Sequence, residues 1–467
     1  MGAATATART WDVFVRKSHH RNLEARGTTT ALSPRGIAVV ALGNFIEWYD
    51  YGVYASFATV IAVEFFPSSN GATGLLSAFA AFGVGFFARP LGGLVFGHFG
   101  DKLGRKRMLA YVIFLMAGAT TLTGLLPGYS SAGVVAPIGL TIARLIQGFA
   151  VGGEYGGAAT YIVEHAPSRS RGRVGAWISS TIGLGSAAGI VVSLVLTSSL
   201  SDAGLNSWGW RIPFLIALPL GFIGLYLRLR LEESPEFADI EQQGDIQRAP
   251  LVIAVRSWWR SMLTGATVVV IITLAYYLLF TYMPTYLTSS VGLPKSQSLV
   301  ATLVGLVVYS CSMPFIGSLS DRVGRRPVLM TGAVGAVVLP YPVFLLFQQG
   351  VLAGVIAGCV VLALAIALMA ALLPSFLSEL FPTTVRFSAF SITYNIPNAI
   401  FGGTAPFIAA ALVTSTGNDF MPAIYIIAAG VVSLIGTIML KETAHLPLKI
   451  GRGESRPDAA RSNMPAD

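Results

Sequence analysis

The sequence predicts an all-α membrane protein, twelve transmembrane helices in two pseudo-symmetric six-helix bundles. Three observations carry that prediction. Of the 467 residues, 54% are hydrophobic and 11% charged, whereas a soluble domain carries about 25% charged residues. Twelve stretches are long and apolar enough to cross a bilayer, which takes about 20 residues each. Two loop motifs recur in the two halves of the chain at nearly one offset. The composition excludes an ordinary cytosolic enzyme, a disordered chain and a disulfide-rich secreted scaffold. Cys311 and Cys359 lie in apolar segments, so neither a disulfide framework nor a zinc site is implied.

Residues 1–35 hold six basic and two acidic side chains and no apolar core, so they read as a solvated tail and not as a signal peptide. Spans one to six follow at 36–63, 71–97, 108–127, 134–162, 174–199 and 212–227, and form the first bundle, 36–227. The charged segment 228–261, with Pro235 and Pro250, reads as a linker. Spans seven to twelve, at 262–288, 298–318, 327–347, 351–374, 388–413 and 421–440, form the second bundle, 262–440, and 441–467 is a tail. The 51 glycines suit close helix packing in lipid, where small residues let backbones approach.

Orientation follows from the basic residues. Counting the tails and alternate loops, 27 of the 31 lysines and arginines fall on one side, and only Arg211 and Lys295 on the other. The basic side is expected to be cytoplasmic, with both termini there. The formal charge of +9 is therefore a topology signal and does not point to nucleic acid.

Gly97, Asp101, Lys102, Gly104, Arg105 and Lys106 recur as Gly317, Asp321, Arg322, Gly324, Arg325 and Arg326, each shifted by 220. Glu164, Pro167 and Arg171 recur as Glu379, Pro382 and Arg386, shifted by 215. Two unrelated motifs at nearly one offset mark a duplicated six-span unit. Their acidic and basic groups sit at the basic-side helix ends, where polar contacts between halves can form in one state and break in another. A cytoplasmic gate is expected from Gly97, Asp101, Gly104, Arg105, Glu164, Arg171, Asp321, Gly324, Arg325, Glu379 and Arg386.

This loop pattern resembles the signature of the major facilitator superfamily. Finer motifs resemble its metabolite:H+ symporter branch: GNFIEWYDYGVYA at 43–55, RLIQGFAVGGEYGGA at 144–158, WGWRIPF at 208–214 and FPTTVRFSAFSITYNIPNAIFGGTAP at 381–406. Residues 209–228, 276–287 and 441–449 look most like the proline/betaine-transporting members. The resemblance implies a carrier in a bacterial inner membrane that imports a small zwitterionic osmolyte or amino acid by proton symport and alternating access, with protons as coupling ion and no cofactor. It also implies a monomer, with a small solute, protons and the bilayer as partners. The alternative is a symporter for a carboxylate such as α-ketoglutarate, shikimate or citrate. The final stretch of about 27 residues has no heptads, so osmotic gating through a coiled coil is not implied.

Ionisable groups at mid-membrane cost at least ~2.5 kcal/mol each and usually face a cavity. Five qualify for proton coupling: Glu47, Asp50, Arg89, Arg144 and Glu154. Glu47 and Asp50 are three apart, hence on one helix face. Counting rises from the basic-side helix ends pairs Glu47 with Arg89, places Asp50 on Arg144's side and brings Glu154 near Glu47. A static set of ion pairs that fixes helix packing is the competing role.

A quaternary ammonium is held by aromatic faces, and Trp48, Tyr51, Tyr54, Trp177, Tyr276, Tyr277 and Tyr282 are the candidates. Each alone also fits packing. Asn395 and Asn398 flank Pro397 and either bind a substrate carboxylate or satisfy backbone freed by the proline. No lysine or arginine lies within spans seven to twelve, which favours a zwitterion over a dicarboxylate. No HExxH or GxxxxGK[ST] occurs and the histidines lie in tails or loop edges, so catalytic and metal residues are not expected and an ATP-driven pump is excluded.

Overall fold

The computed structural model describes residues 34–103, 105–152, 154–229, 250–383, 385–446 and 448. Lipid offers no hydrogen-bond partner to an exposed backbone, so a chain this apolar closes every amide within its own segment. The result is twelve spans arranged as two six-helix bundles. Span 1 is Pro34–Phe65, span 2 Gly71–Leu103 and span 3 Arg105–Leu125. Span 4 is two helices, Val135–Val151 and Glu154–His165, and spans 5 and 6 are Arg171–Ser199 and Ile212–Leu229. Span 7 runs Pro250–Tyr277 and Met283–Ser289 through a π-helical turn, Leu278–Tyr282, and span 8 is Lys295–Val323. Span 9 pairs Arg325–Val338 with Pro340–Phe347 across a 47° bend. Span 10 is Leu352–Ala370 with Leu373–Leu380. Span 11 is Arg386–Pro397 with Ala405–Thr416 through a second π-helical turn, Asn398–Gly402. Span 12 is Met421–Met439.

Local chemistry sets the ends. Proline stands in the first two positions of eight of these helices, where its missing N–H and fixed φ cost nothing. Asn70 Oδ1 accepts from the Ala72 amide before span 2. Gly324, at φ +103°, makes the turn from span 8 to span 9, a backbone angle that strains any residue with a Cβ.

Among the described residues, nine helices have the length and mean hydropathy of a span, and the bent pair of span 9 makes a tenth. Span 1 is more polar because Glu47 and Asp50 sit in its middle, and span 3 contributes the short apolar helix Ala110–Leu125. One boundary differs from the sequence reading. Span 7 begins at Pro250, so the last part of the expected linker 228–261 is helix. Proline starts a helix as readily as it breaks one, and composition does not separate the two. Residues 1–33, 230–249, 447 and 449–467 lie outside the described residues.

The outer surface is apolar, with Phe315 77% exposed, as expected of a wall that faces lipid. Within the first bundle, spans 2 and 4 meet backbone to backbone. A Cβ on Gly148 would stand 1.7 Å from the Gly85 carbonyl oxygen, and one on Gly152 1.8 Å from that of Arg89. Such contact leaves no gap into which a side chain can relax. Gly118, by contrast, has open space beside it. Gly148→Ala is therefore expected to cost more than the usual ~1–3 kcal/mol of overpacking, seen as a lowered melting temperature and a broadened size-exclusion peak in detergent, while Gly118→Ala leaves both unchanged.

Candidate functional site

Span 1 carries the centre of the molecule. Glu47 Oε1 accepts from Arg89 Nη2 of span 2 at 2.8 Å, with both side chains buried. One turn on, Asp50 accepts from Arg144 Nη1 of span 4. Arg89 Nη2 also donates to the Tyr51 hydroxyl, and its guanidinium lies 4.3 Å from the Phe86 ring centroid. Arg144 bonds Gln147 Oε1 at 2.7 Å and lies 4.2 Å from the Tyr54 centroid. Gln147 in turn donates to Thr120 Oγ1 at 2.8 Å. The span 1 pattern thus forms two adjacent ion pairs. Glu154 is buried in the first turn of its helix, where a carboxylate complements the helix dipole.

Beside the pairs lies a cavity between the two bundles. Its walls include Trp48, Tyr155, Tyr276, Tyr277, Tyr394 and Asn398, with Ser179, Thr273 and Tyr309 completing the polar lining, and none of its lining side chains is charged. Its volume is only about 30 Å³, room for a few waters, so a solute must part the rings to enter. Trp48 is stacked on Tyr277 at 6.0 Å and meets Tyr276 edge-on at 4.9 Å. Both amide atoms of Asn398 and the Tyr277 hydroxyl are buried without a hydrogen-bond partner. Gly402 packs against both residues: a Cβ there would lie 2.6 Å from Asn398 Oδ1 and 2.9 Å from the Tyr277 ring. An unpaired buried amide costs roughly 1–3 kcal/mol, and π-helical turns such as the two that carry or adjoin these residues gather at functional sites.

Several candidates are placed elsewhere. Trp177 is 51% exposed and does not line the cavity, because the buried face of span 5 is set by its glycines and serines. Tyr54 is spent on the Ala78 carbonyl at 2.7 Å and on Arg144. Tyr51 is one layer behind, between Arg89 and the rings of Trp48 and Tyr277. Asn395 donates to the Gly152 carbonyl at 3.3 Å, a contact between halves. Tyr282 meets Phe79 of span 2 at 5.8 Å. Sequence reading passed over Tyr155, Tyr309 and Tyr394. Tyr155 follows Glu154 in the glycine-rich stretch and Tyr394 precedes Asn395, so adjacency to marked polar residues was the available signal.

At the end that carries the arginine-rich loops, the halves are joined by polar contacts. Asp321 of span 8 accepts from the Gly172 and Arg173 amides at the start of span 5, both at 2.8 Å. Arg386 reaches across to Glu164 at 2.5 Å. Arg325 stays within its half, bonded to Asp321 at 2.8 Å and Glu379 at 3.1 Å. The repeat-related partners, Arg171 and Glu379, do not bond each other. Arg171 donates to the Leu446 carbonyl at 2.9 Å, and Glu379, already paired with Arg325, accepts from Thr443 at 2.7 Å, so the segment after span 12 reaches both groups. Glu442 of that segment accepts from the Arg325 and Arg326 amides at 2.8 and 3.0 Å. Gly104 lies outside the described residues, as do the side chains of Asp101 and Arg105 and the surroundings of Gly97.

The comparisons agree with this architecture. A model of the family described as sugar (and other) transporter matches residues 36–253 and 245–451. The proline/betaine transporter of Escherichia coli (strain K12) is 41% identical over 427 residues, 89% of this chain and 85% of that protein. The ectoine/proline transporter ProP of Corynebacterium glutamicum is 39% identical over 421 residues, 87% of this chain and 84% of that one. Among solved structures, the partially occluded inward open xylose transporter XylE from E. coli superposes with a TM-score of 0.71 at 18% identity, over 87% of this chain and 97% of that one.

Partial burial pushes the Glu442 carboxyl up, but the amides of Ala444, Arg325, Arg326 and Thr443 outweigh it and hold the group below the ordinary carboxylate range. A depressed carboxylate adds stability above its unfolded value, about 4.3, and loses it as pH falls through the folded value. Glu442→Gln should therefore lower the melting temperature at neutral pH and flatten its fall below about pH 4.3, measured by thermal melts of the purified chain from pH 3 to 7.

Proposed function

This chain belongs to the sugar (and other) transporter family, within the major facilitator superfamily, and we propose that it imports a small zwitterionic osmolyte of the proline and betaine kind by proton symport. The carrying observation is the uncharged aromatic cavity with an unpaired amide and phenol at one end. Such a wall takes an onium group on its ring faces, and Asn398 Nδ2 with the Tyr277 hydroxyl offers two donors to a carboxylate. A dicarboxylate would need cationic groups on that wall. The named relatives that transport proline, betaine or ectoine support the same class.

Coupling runs through span 1, where Trp48 lies between Glu47 and Asp50. A solute that parts Trp48 from Tyr277 also moves Tyr51, which touches both rings and bonds Arg89. If a guanidinium withdraws, a carboxylate left buried takes a proton, because its charged form has lost both water and partner. Asp50 Oδ1 has no hydrogen-bond partner, so the contact with Arg144 is what ties this carboxylate to the bundle. A neutral zwitterion with one proton moves one positive charge inward, favoured by about 2.3 kcal/mol per 100 mV. The arginine-rich end faces the cytoplasm, with both termini there, and the carrier works as a monomer in a bacterial inner membrane. Asp321, Arg386, Glu164 and the segment 441–446 are the cytoplasmic gate in its closed state.

Competition for labelled proline uptake in proteoliposomes tests the substrate class. Glycine betaine should compete and α-ketoglutarate and shikimate should not; the reverse order would overturn the zwitterion reading. Asn398→Ala should raise KM roughly tenfold to a hundredfold, the worth of a hydrogen bond to a charged group, and Trp177→Ala should leave it unchanged. Asp50→Asn should abolish accumulation against a gradient while solute exchange persists, read from uphill uptake and counterflow in the same vesicles.

A further inference from the structure

The end opposite the arginine-rich loops is closed differently. Lys295 is the first residue of span 8, and its ammonium lies 4.6 Å from the ring centroid of Phe57 on span 1. Phe57 is fully buried and Lys295 half-buried. The contact crosses from the second bundle to the first. Local helix chemistry does not ask for a lysine here, since the first turn of a helix disfavours a cation. Asp202, in the short helix Asp202–Ser207 of the first bundle, supplies a field that partly offsets the burial of the Lys295 ammonium. Deeper along the same seam, Phe79 meets Tyr282 at 5.8 Å and the Gly403 carbonyl packs on Gly83.

We propose that the Lys295 ammonium on the Phe57 ring is the latch that holds this end of the carrier shut, the counterpart of the polar gate at the other end. Span 8 gives the idea its mechanics. The same helix bears Lys295 at one end and Asp321 near the other, 26 residues apart, or about 39 Å along the axis. Asp321 holds the first bundle through the start of span 5 and Lys295 holds it through span 1. Tilting span 8 against the first bundle lengthens one contact while the other pivots. The two latches differ in strength. One cation over a ring is weaker than the joined amide and carboxylate contacts at the other end, so the Lys295 end opens more readily and the empty carrier is set to receive solute there.

The proposal rests on alternating access, and the experiment separates the two. The full chain, with Cys311→Ser and Cys359→Ser, is spin-labelled at Ser131→Cys and Ser415→Cys for the Lys295 end, or at Ser168→Cys and Thr331→Cys for the gate end, and reconstituted in liposomes. Lys295→Gln should raise the long-distance population of the first pair about fivefold (about 1 kcal/mol), and Lys295→Arg should restore the parent distribution because it keeps a cation over the ring. Phe57→Leu should repeat the Lys295→Gln effect from the other partner. Unchanged distances in Lys295→Gln and Phe57→Leu, with solute-driven changes intact in the parent, would overturn the latch alone. Distances that never respond to solute in the parent at either end would overturn alternating access and the latch together.

Discussion

Glu47 and Asp50 stand three residues apart in the middle of span 1, and each holds a guanidinium from a different neighbour. The rest of the first bundle is arranged around that constraint. Charges at this depth cannot be left to water, so span 2 must deliver Arg89 and span 4 must deliver Arg144 to within hydrogen-bond reach. Two helices that bring their side chains to one point have to touch, and the glycine seam of spans 2 and 4 lets them do so. Phe86 and Tyr54 then shield the flat faces of the two guanidinium groups. Removing either partner of a buried pair strands the other, which costs several kcal/mol. Such an arrangement is stable only while both partners stay in place.

Span 1 also joins the charges to the cavity. Its charged residues interleave with Trp48 and Tyr51, so one helix presents carboxylates to its own bundle and aromatic rings to the interface. The second bundle contributes rings, hydroxyls and one free amide but no charge. A division between halves follows: the buried ion pairs lie in the first and most of the cavity wall in the second. The two ends divide labour as well, with hydrogen-bonded polar contacts at one and ring contacts at the other.

The duplicated loops show how a repeat is bent to asymmetric use. Arg386 and Glu164 bond across the halves as the repeated motif suggests. Their counterparts Arg171 and Glu379 do not, because Leu446 of the segment after span 12 takes Arg171 while Arg325 and Thr443 take Glu379. Asp321 likewise takes backbone amides of span 5 and not a guanidinium of the other half. A motif tells which side chains meet a seam, and the neighbouring chain decides with which atoms.

By itself the sequence determined the twelve spans, the duplication, the family and the existence of buried charges, because apolar length, a fixed offset and a carboxylate inside an apolar stretch are properties of one segment at a time. The two salt bridges were legible in outline, since helix rise converts residue number into depth. The cavity was decided only by the tertiary structure. Trp177 and Tyr277 are both aromatic residues in spans, yet one is exposed on the outer surface and the other is buried against Asn398. Which face of a helix meets a partner depends on the rotation of every packed neighbour, and a span apolar on all sides carries no periodic signal of it. Asn395 and Asn398 are identical and three residues apart, and only packing made one a tie to Gly152 and left the other without a hydrogen-bond partner at the cavity wall.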